Sequence, residues 1–598
     1  MTSRTHIAPD AATLRVRVLA LLFAATAALG AATLVADASL QDGFQVWDAI
    51  RSGLILLTTG WLAWGAALAL AGIWPRKAPV SAAGPVSGAA TVVLVPICNE
   101  DPVATFARIA AMDRSIRDAE LALDIVILSD SRAAQAQAAE QAAFRMLIAE
   151  TQGAARIFYR NRTENRGRKA GNVEDFIRRS GGGYDYAVTL DADSLMSGDA
   201  LRRMIARMDA DPRLGLLQTL PQIVGSRSVF ARAMQFAAAF HGPVFTRGLE
   251  RMQGATGPYW GHNAIIRVRA FAQSCGLPEL RGKPPFGGHI LSHDYVEAAL
   301  LARGGWRVEA DSTIVGSYEE GPENVLSYAK RDRRWCQGNL QHLRLLPAPG
   351  LAMWSRFVFV QGIFAYLVSL LWALFLISSA LGTVLAPEPD YFPDPYQLFP
   401  VFPSDRSREI TALALGIVGL LVMPKLAIWV KSALTGRARA FGGAGRSLLS
   451  VVCEVLLTSA LAPIMLMYQT RAVLQVLSGQ DGGWPANARG EGALSLAEAA
   501  RASGWIVVTG VLALAATGRF APELLVWLLP VTVPMIAAPL LISWSSQPVG
   551  PGVFQVPEDR DVPDVVAVYR AIHARWHSGI TADTSASRPV AGGSHAPA

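Results

Sequence analysis

Two carboxylates stand at alternate positions where an apolar run ends, in Val188-Thr189-Leu190-Asp191-Ala192-Asp193. Where a chain bends at the end of a strand, both side chains can reach one divalent cation. A hard cation, Mg²⁺ or Mn²⁺, accepts one or two carboxylates and fills its shell with diphosphate oxygens. The chemical use of such a cation is Lewis-acid stabilisation of a departing nucleoside diphosphate. Asp191 and Asp193 are therefore the expected metal ligands. Taken alone the pair fits a polar loop turn equally well.

Other clusters give the pair its company. One apolar run ends in Val95-Pro96-Ile97-Cys98-Asn99-Glu100, and Pro96, Asn99 and Glu100 make a polar edge suited to a base and ribose. A second run ends in Leu128-Ser129-Asp130-Ser131 and supplies a further carboxylate, Asp130. The loop Asn161–Asn172 is rich in Arg, Lys, Gly and Asn. Lys169 suits phosphate charge, and Gly167 and Gly171 allow close backbone approach; a solvated loop fits the charge run by itself. Asp294, in Leu291-Ser-His293-Asp294-Tyr-Val-Glu297, opens an apolar helix. It reads either as a helix cap or as a general base for an acceptor hydroxyl. The basic stretch Lys330–Asn339 precedes a membrane-length apolar run and suits lipid headgroups, yet Trp335 suits a sugar face and Arg331 and Arg334 suit a diphosphate. His262 and His293 are assigned acceptor-positioning or local structural roles, not metal ligation.

The elements that must position these residues alternate. Thr91–Pro96, Asp124–Leu128, Arg156–Tyr159, Tyr186–Leu190 and Leu214–Leu220 read as strands, and Pro102–Glu120, Ala133–Thr151, Ala170–Arg179 and Ala200–Met208 as helices between them. Such alternation implies a mostly parallel sheet covered on both faces. Ligands of such sheets lie beyond the carboxyl ends of the strands, where the polar clusters fall.

The chain is 52% hydrophobic and 17% charged, against roughly a quarter charged in soluble domains. Its apolar residues cluster in runs near the length that crosses a bilayer: about Val16–Val35, Leu54–Trp74, Phe357–Leu385, Ile410–Trp429, Leu448–Leu466, Trp505–Ala516 and Leu524–Ile542. The stretch Leu448–Leu477 exceeds one simple crossing and holds Pro463, so a hairpin is expected there, giving about eight spans. The first run reads as a retained anchor, not a cleaved signal. Acidic Asp37, Asp42 and Asp48 separate the first two runs, whereas Arg76 and Lys77 follow the second, which puts the sheet domain on the cytoplasmic side. The Pro-rich connector Pro387–Arg406 fits the outer face. The expected divisions are a membrane segment 1–77, a linker 78–90, the cytosolic domain 91–345, a second membrane segment 346–545 and a cytosolic, largely disordered tail 546–598. Residues 478–504 contain an amphipathic stretch, Leu494–Ala502, that reads as an interfacial helix or a mobile lid. The net charge of +7 lies beside apolar runs, not in one tract, and suits anionic lipid instead of nucleic acid. Cys98, Cys275, Cys336 and Cys453 form no Cys-x-x-Cys pair, so neither a zinc site nor a disulfide framework is expected.

Between Thr91 and Asn339 the motifs resemble, in order, those of the family 2 inverting glycosyltransferases: Asn99/Glu100, Asp130, Asp191/Asp193, Asp294, and a Gln-x-x-Arg-Trp motif that appears here as Arg331-Asp-Arg-Arg334-Trp335. Arg331 departs from the Gln of cellulose and hyaluronan synthases. The strings RDRRWCQGN, GHNAIIR (Gly261–Arg267), LSHDYVEAALL and NRTENRGRKAGN resemble a narrower group, the synthases of osmoregulated periplasmic glucans. The resemblance implies a GT-A-type, Rossmann-like cytosolic domain inserted in a polytopic helical membrane domain of the bacterial inner membrane. It implies a processive hexosyltransferase that elongates a linear β-1,2-glucan from UDP-glucose with Mg²⁺ or Mn²⁺ and passes it outward to periplasmic glucan-processing proteins. Asp294 would be the base, and Pro96, Asn99, Glu100, Asp130, Lys169, Asp191, His262, Arg331, Arg334 and Trp335 the substrate contacts. Larger members of the group carry a longer N-terminal extension. No cyclic-di-GMP module is expected. A polyprenyl-phosphate glycosyltransferase is the alternative enzyme, and a transporter or receptor that only senses a nucleotide sugar is the non-enzymatic one.

Overall fold

The computed structural model describes residues 7–40, 45–74, 88–151, 156–385, 396–399, 407–482 and 492–586. Most of the expected linker 78–90 and of the connector Pro387–Arg406 lies outside the described residues. Helices α1 (Ala11–Leu40) and α2 (Val46–Ile73) precede the sheet domain. The domain then runs β1 (Thr91–Ile97), α3 (Pro102–Asp118), β2 (Leu123–Ser129), α4 (Ala134–Glu150), β3 (Arg156–Asn161), α5 (Arg168–Ser180), β4 (Tyr186–Thr189), β5 (Leu195–Met196) and α6 (Gly198–Ala210). It continues through β6 (Leu214–Thr219), β7 (Gln222–Ile223), α7 (Val229–Phe240), α8 (Gly242–Gln253), β8 (Ala264–Arg267), α9 (Val268–Ser274), α10 (His293–Arg303), β9 (Arg307–Asp311), β10 (Ser317–Glu319) and α11 (Val325–Gln341).

The main sheet has the order β3-β2-β1-β4-β8-β6-β9. All its pairs are parallel except those of β8, which runs antiparallel to β4 and β6. Strands buried on both faces read as near-continuous apolar runs. Accordingly Val93, Val95 and Ile97 of β1 enter one core, while Val92 and Leu94 enter the other. A second sheet of three short strands, β5-β10-β7, lies beyond the carboxyl end of β4. Asp101 caps α3 by accepting from the Val103 N–H at 3.0 Å, with Pro102 at the first helical position.

The carboxyl half carries α12 (Met353–Val384), α13 (Ser407–Leu434), α14 (Ala444–Leu477), α15 (Leu496–Phe520), α16 (Leu525–Ile536), α17 (Ala538–Ser545) and α18 (Asp564–Ala586). Among the described residues six helices are long and apolar enough to cross a membrane: α1, α2, α12, α13, α14 and α15. The stretch Pro522–Ser545 forms a further apolar pair, bent by 57°.

Three expectations are corrected. The stretch 448–477 is no hairpin: α14 runs unbroken through Pro463, because a proline removes one ladder hydrogen bond and neighbouring helices bury the site. Leu494–Ala502 is not a separate interfacial helix. Ser495 caps α15 with a reciprocal Ser495–Glu498 capping box, so Leu496–Ala502 are its first two turns. The tail is not largely disordered through 586: Val565, Val566, Ile572 and Trp576 of α18 join the core on the α3 side of the sheet. Residues 587–598 lie outside the described residues.

The membrane-length helices meet the sheet domain through backbone. A Cβ on Gly72 of α2 would lie 1.8 Å from the Val244 carbonyl, and one on Gly248 of α8 would lie 1.9 Å from the Leu68 carbonyl. Arginines then cap the carbonyls left open at helix ends. Arg17 of α1 donates to the Met252 and Gln253 carbonyls at 2.7 and 3.1 Å, and Arg437 to those of Phe240 and Ala239 at 2.9 and 2.8 Å. Arg247 and Arg251 return the contact to the end of α2. The close crossing makes a definite prediction. Gly248→Leu should cost about 1–3 kcal/mol by overpacking, read as a lower Tm in detergent. Gly65→Ala, whose Cβ meets nothing within 4 Å, should leave Tm unchanged.

Candidate active site

The strand ends β1, β2 and β4 share one edge, and the loops leaving it hold the expected residues. Pro96 is buried in β1 and pairs in register with Leu128. Asn99 follows in the left-handed region (φ 62°), its N–H donating to Ser131 Oγ at 2.8 Å. Glu100 folds back on the Cys98 N–H. Beneath them Glu140, buried, accepts from Ser129 Oγ at 2.6 Å and Tyr159 OH at 2.8 Å and also holds Ser131. The half-buried Tyr159 hydroxyl, partly desolvated and beside Glu140, has its pKa pushed up to about 12. All four cysteines are free.

Asp130 sits at the expected edge but is tied inside the protein. Arg162 pairs with both its oxygens, Nη2 at 2.8 Å, and Asn172 Nδ2 donates to it at 2.9 Å. Arg162 also donates to the Arg168 carbonyl at 2.8 Å. Asp130 therefore pins the loop 161–172 to the end of β2. Arg162 was not singled out from sequence, since nothing in a run of charges tells which arginine folds inward.

The loop's purpose is to deliver Lys169. Gly167 (φ 71°) and Arg168 (φ 52°) turn the chain into α5, and the Lys169 ammonium pairs with Asp191 Oδ1 while donating to the Gly261 carbonyl at 2.8 Å. Gly261 (φ +83°) packs against Asp294, its would-be Cβ 3.5 Å from the Asp294 Cβ. One lysine thus links the Asp191 turn to the segment beside Asp294. Asp294 is not the helix cap: Ser292 is, and its hydroxyl donates to Asp294 Oδ1 at 3.0 Å. Next to it His293 Nδ1 lies 3.0 Å from Glu297 Oε2. Burial would lower the His293 pKa, but the Glu297 carboxylate outweighs it and the imidazole is held above its ordinary value.

Asp193 is buried beside Asp191. Arg108, also buried, donates to the Ala192 carbonyl between them at 3.2 Å, pairs with Glu320, and lies 4.8 Å from the ring of Tyr569 on α18. Glu319, at the end of β10, completes the cluster. Its Oε2 is 3.7 Å from His262 Nε2, and burial together with Asp193 and Asp191 raises its pKa despite His262 and Arg331. His262 thus meets a carboxylate. Arg331 lies 4.6 Å over the ring of Trp335, which is 43% exposed. The buried Arg331 Nε has no hydrogen-bond partner among the described residues. Arg334, one turn on from Arg331, lines a cavity against α14.

Among the described residues no three His, Cys, Asp or Glu side chains converge so as to hold a metal by themselves. The donor set that does exist, Asp191 and Asp193, is what a hard cation shared with a diphosphate needs.

This arrangement has close relatives. The sequence profile of Glycosyl transferase family 2 matches residues 92–274, and that of Glycosyl transferase family group 2 matches residues 186–395. The chain is 55% identical over 574 residues to Glucans biosynthesis glucosyltransferase H of Cereibacter sphaeroides, covering 95% of this chain and 96% of that one. The chain belongs to the glucans biosynthesis glucosyltransferase H family. The same name is carried by a Bradyrhizobium diazoefficiens protein 39% identical over 93% of this chain and 76% of its own length. Among solved structures, a mannosyltransferase of Pyrobaculum calidifontis in complex with GDP-Man and Mn²⁺ is similar, with 16% identity, 73% of this chain and 100% of that one covered, and a TM-score of 0.46. Glucosyltransferase H relatives across this length make the chain a glycosyltransferase of glucan biosynthesis, with a GT-A-like sheet domain beside its apolar helices.

Lys169 carries the tie between the two halves of the site. Lys169→Met should lower turnover on the order of 10²-fold, as loss of a charge stabiliser does. Steady-state assay of the purified protein checks it, and the fall should appear in kcat more than in KM.

Proposed function

We propose that the protein is a processive, inverting glucosyltransferase that uses UDP-glucose to elongate the linear β-1,2-glucan backbone of osmoregulated periplasmic glucans and passes it outward across the inner membrane. The observation that carries the reading is the meeting of Asp191, Lys169, Gly261 and Asp294, with Arg331, stacked on Trp335, near enough to act on the neighbouring Glu319.

Glucose is in the relatives' name, UDP and the β-1,2 linkage are what the resemblance to the synthases of osmoregulated periplasmic glucans implies, and the chemistry follows from the residues. Asp294 takes the proton of the acceptor hydroxyl, with Ser292 holding its carboxylate. The hydroxyl oxygen attacks the anomeric carbon from the side opposite the diphosphate, so the configuration inverts in one displacement. Lys169 and Arg331 supply positive charge as the diphosphate leaves. Asp191 and Asp193 would hold Mg²⁺ or Mn²⁺, which supplies Lewis-acid stabilisation of the leaving group when bound. Pro96, Asn99 and Glu100 form the edge proposed for the base and ribose, and Asp130 keeps that edge in place. Trp335 offers its face to the acceptor sugar. His262, against Glu319, is a positioning residue in this scheme.

The membrane reading follows from which helix ends touch the sheet domain. α14 contacts it in both halves: Glu454 Oε2 lies 4.0 Å from His241 Nε2, and Gln475 accepts from Arg333 at 3.2 Å. In our reading α14 lies along the inner surface of the bilayer, while α1, α2, α12, α13, α15 and the bent α16–α17 pair cross it. An even number of crossings keeps both chain ends and the catalytic domain in the cytoplasm.

Purified protein given radiolabelled UDP-glucose and Mg²⁺ should yield a long, water-soluble glucan with β-1,2 linkages on linkage analysis. Asp294→Asn should lower that yield by on the order of 10² or more. A short product extractable into organic solvent would instead identify a polyprenyl-phosphate transferase, and undiminished synthesis by Asp294→Asn would remove Asp294 from the mechanism.

A further inference from the structure

Helix α11 has two faces. Arg331 and Trp335, one turn apart, belong to the catalytic cleft. Lys330, Arg333, Arg334 and Gln337 recur at helical spacing on the other side, and the three cations line a cavity of about 320 Å³. Tyr468, Arg471 and Gln475 of α14 line it from the opposite wall, and no Asp or Glu is among its described lining residues. The cavity therefore gathers four cationic side chains in a half-enclosed space.

The contacts of Arg333 and Arg471 are mostly with neutral groups. Arg333 donates to Gln475 Oε1 and Gln337 Oε1, both at 3.2 Å, and to the Gln480 carbonyl at 3.0 Å. Burial lowers its pKa, with partial relief from Cys336 and from Asp481, which accepts from Gln337 at 2.8 Å. Arg471 lies 5.2 Å over the ring of Trp505, and Tyr468 meets the same ring edge-on at 5.9 Å. Tyr and Trp gather at headgroup depth, where one end of the ring is apolar and the other wet. Here they stand where α14 and the first turns of α15 come together.

We propose that this cavity binds the phosphate headgroup of an anionic phospholipid from the inner leaflet. Clusters of about four or more Lys and Arg at the cytoplasmic foot of a membrane helix are suited to such headgroups. The inference rests on the membrane orientation proposed above, with α15 rising from the cytoplasmic face. Since the lipid phosphate would sit on the reverse side of the helix that carries Arg331 and Trp335, it would fix α11 against the bilayer.

The same cations suit the diphosphate of free UDP, so the experiment separates the two sources. Protein is reconstituted in nanodiscs of phosphatidylglycerol and phosphatidylcholine, extracted into mild detergent, and its retained lipid counted by native mass spectrometry. Wild type should retain phosphatidylglycerol in preference to phosphatidylcholine. Arg333→Gln/Arg471→Gln should retain roughly tenfold less, while Arg333→Lys/Arg471→Lys keeps it. UDP binding by all three, measured by calorimetry, reports that the sheet domain is folded, and added UDP should leave the retained lipid in place. Equal retention by wild type and the Gln variant, no preference for phosphatidylglycerol, or displacement of the lipid by UDP overturns the proposal. Failure to incorporate into nanodiscs at all would overturn the membrane orientation as well, so the two failures are told apart.

Discussion

Negative charge gathered at one edge of a sheet must be compensated from outside that edge, and in this protein Lys169 does so for the Asp191 turn. Asp191, Asp193 and Glu319 lie close enough that the two aspartates raise the Glu319 pKa. Unrelieved, such a cluster would take up protons or push its loops apart. Lys169 meets Asp191 and the Gly261 carbonyl together, so the same bond that neutralises charge also fixes where Asp294 stands. Everything needed to bring Lys169 there follows: the left-handed turn at Gly167 and Arg168, and the Arg162–Asp130 pair that holds the loop to β2. A buried pair of that kind is weak evidence for added stability. Its value here is geometric.

The parallel part of the fold was legible because its strands are buried on both faces and must be apolar throughout. β1, β2, β3, β4 and β6 begin and end within a residue or two of the runs read from sequence, as do the helices between them. β8 was not legible. It is four residues long, and its apolar Ala264–Ile266 follows a polar Gly-His-Asn segment with no period to distinguish it. The three-stranded sheet escaped for the same reason, and with it Glu319, whose importance comes from neighbours brought from β4, β7 and α11. A carboxylate at the end of a three-residue strand carries no local signal.

Basic residues beside apolar runs suit lipid headgroups, yet several of them have a different occupation. Arg17, Arg247, Arg251 and Arg437 spend their guanidinium groups on carbonyls at helix ends where the membrane-length helices meet the sheet domain. A helix C-terminus leaves carbonyls unsatisfied and carries partial negative charge, so a cation at this junction is drawn to backbone as strongly as to headgroups. Sequence position near a membrane cannot separate the two. The ordered part of the tail is hidden in the sequence for a related reason. α18 packs Val565, Val566, Ile572 and Trp576 against the sheet domain, and that short apolar stripe adjoins a Ser/Ala/Gly-rich end whose composition dominated the reading.

The departure at Arg331 also has a physical account. Where cellulose and hyaluronan synthases carry Gln, this chain carries a cation within reach of Glu319, and Arg331 is one of two groups, with His262, that draw the Glu319 pKa back down. A neutral amide there would leave Glu319 facing Asp191 and Asp193 with His262 alone. The guanidinium plane also stacks on Trp335, an arrangement that favours a planar cation and orients the ring proposed to receive sugar. Glu319 and Arg331 therefore act as one electrostatic unit in this chain: the carboxylate at the end of β10 has its cation on α11, four residues before the ring that the same cation covers.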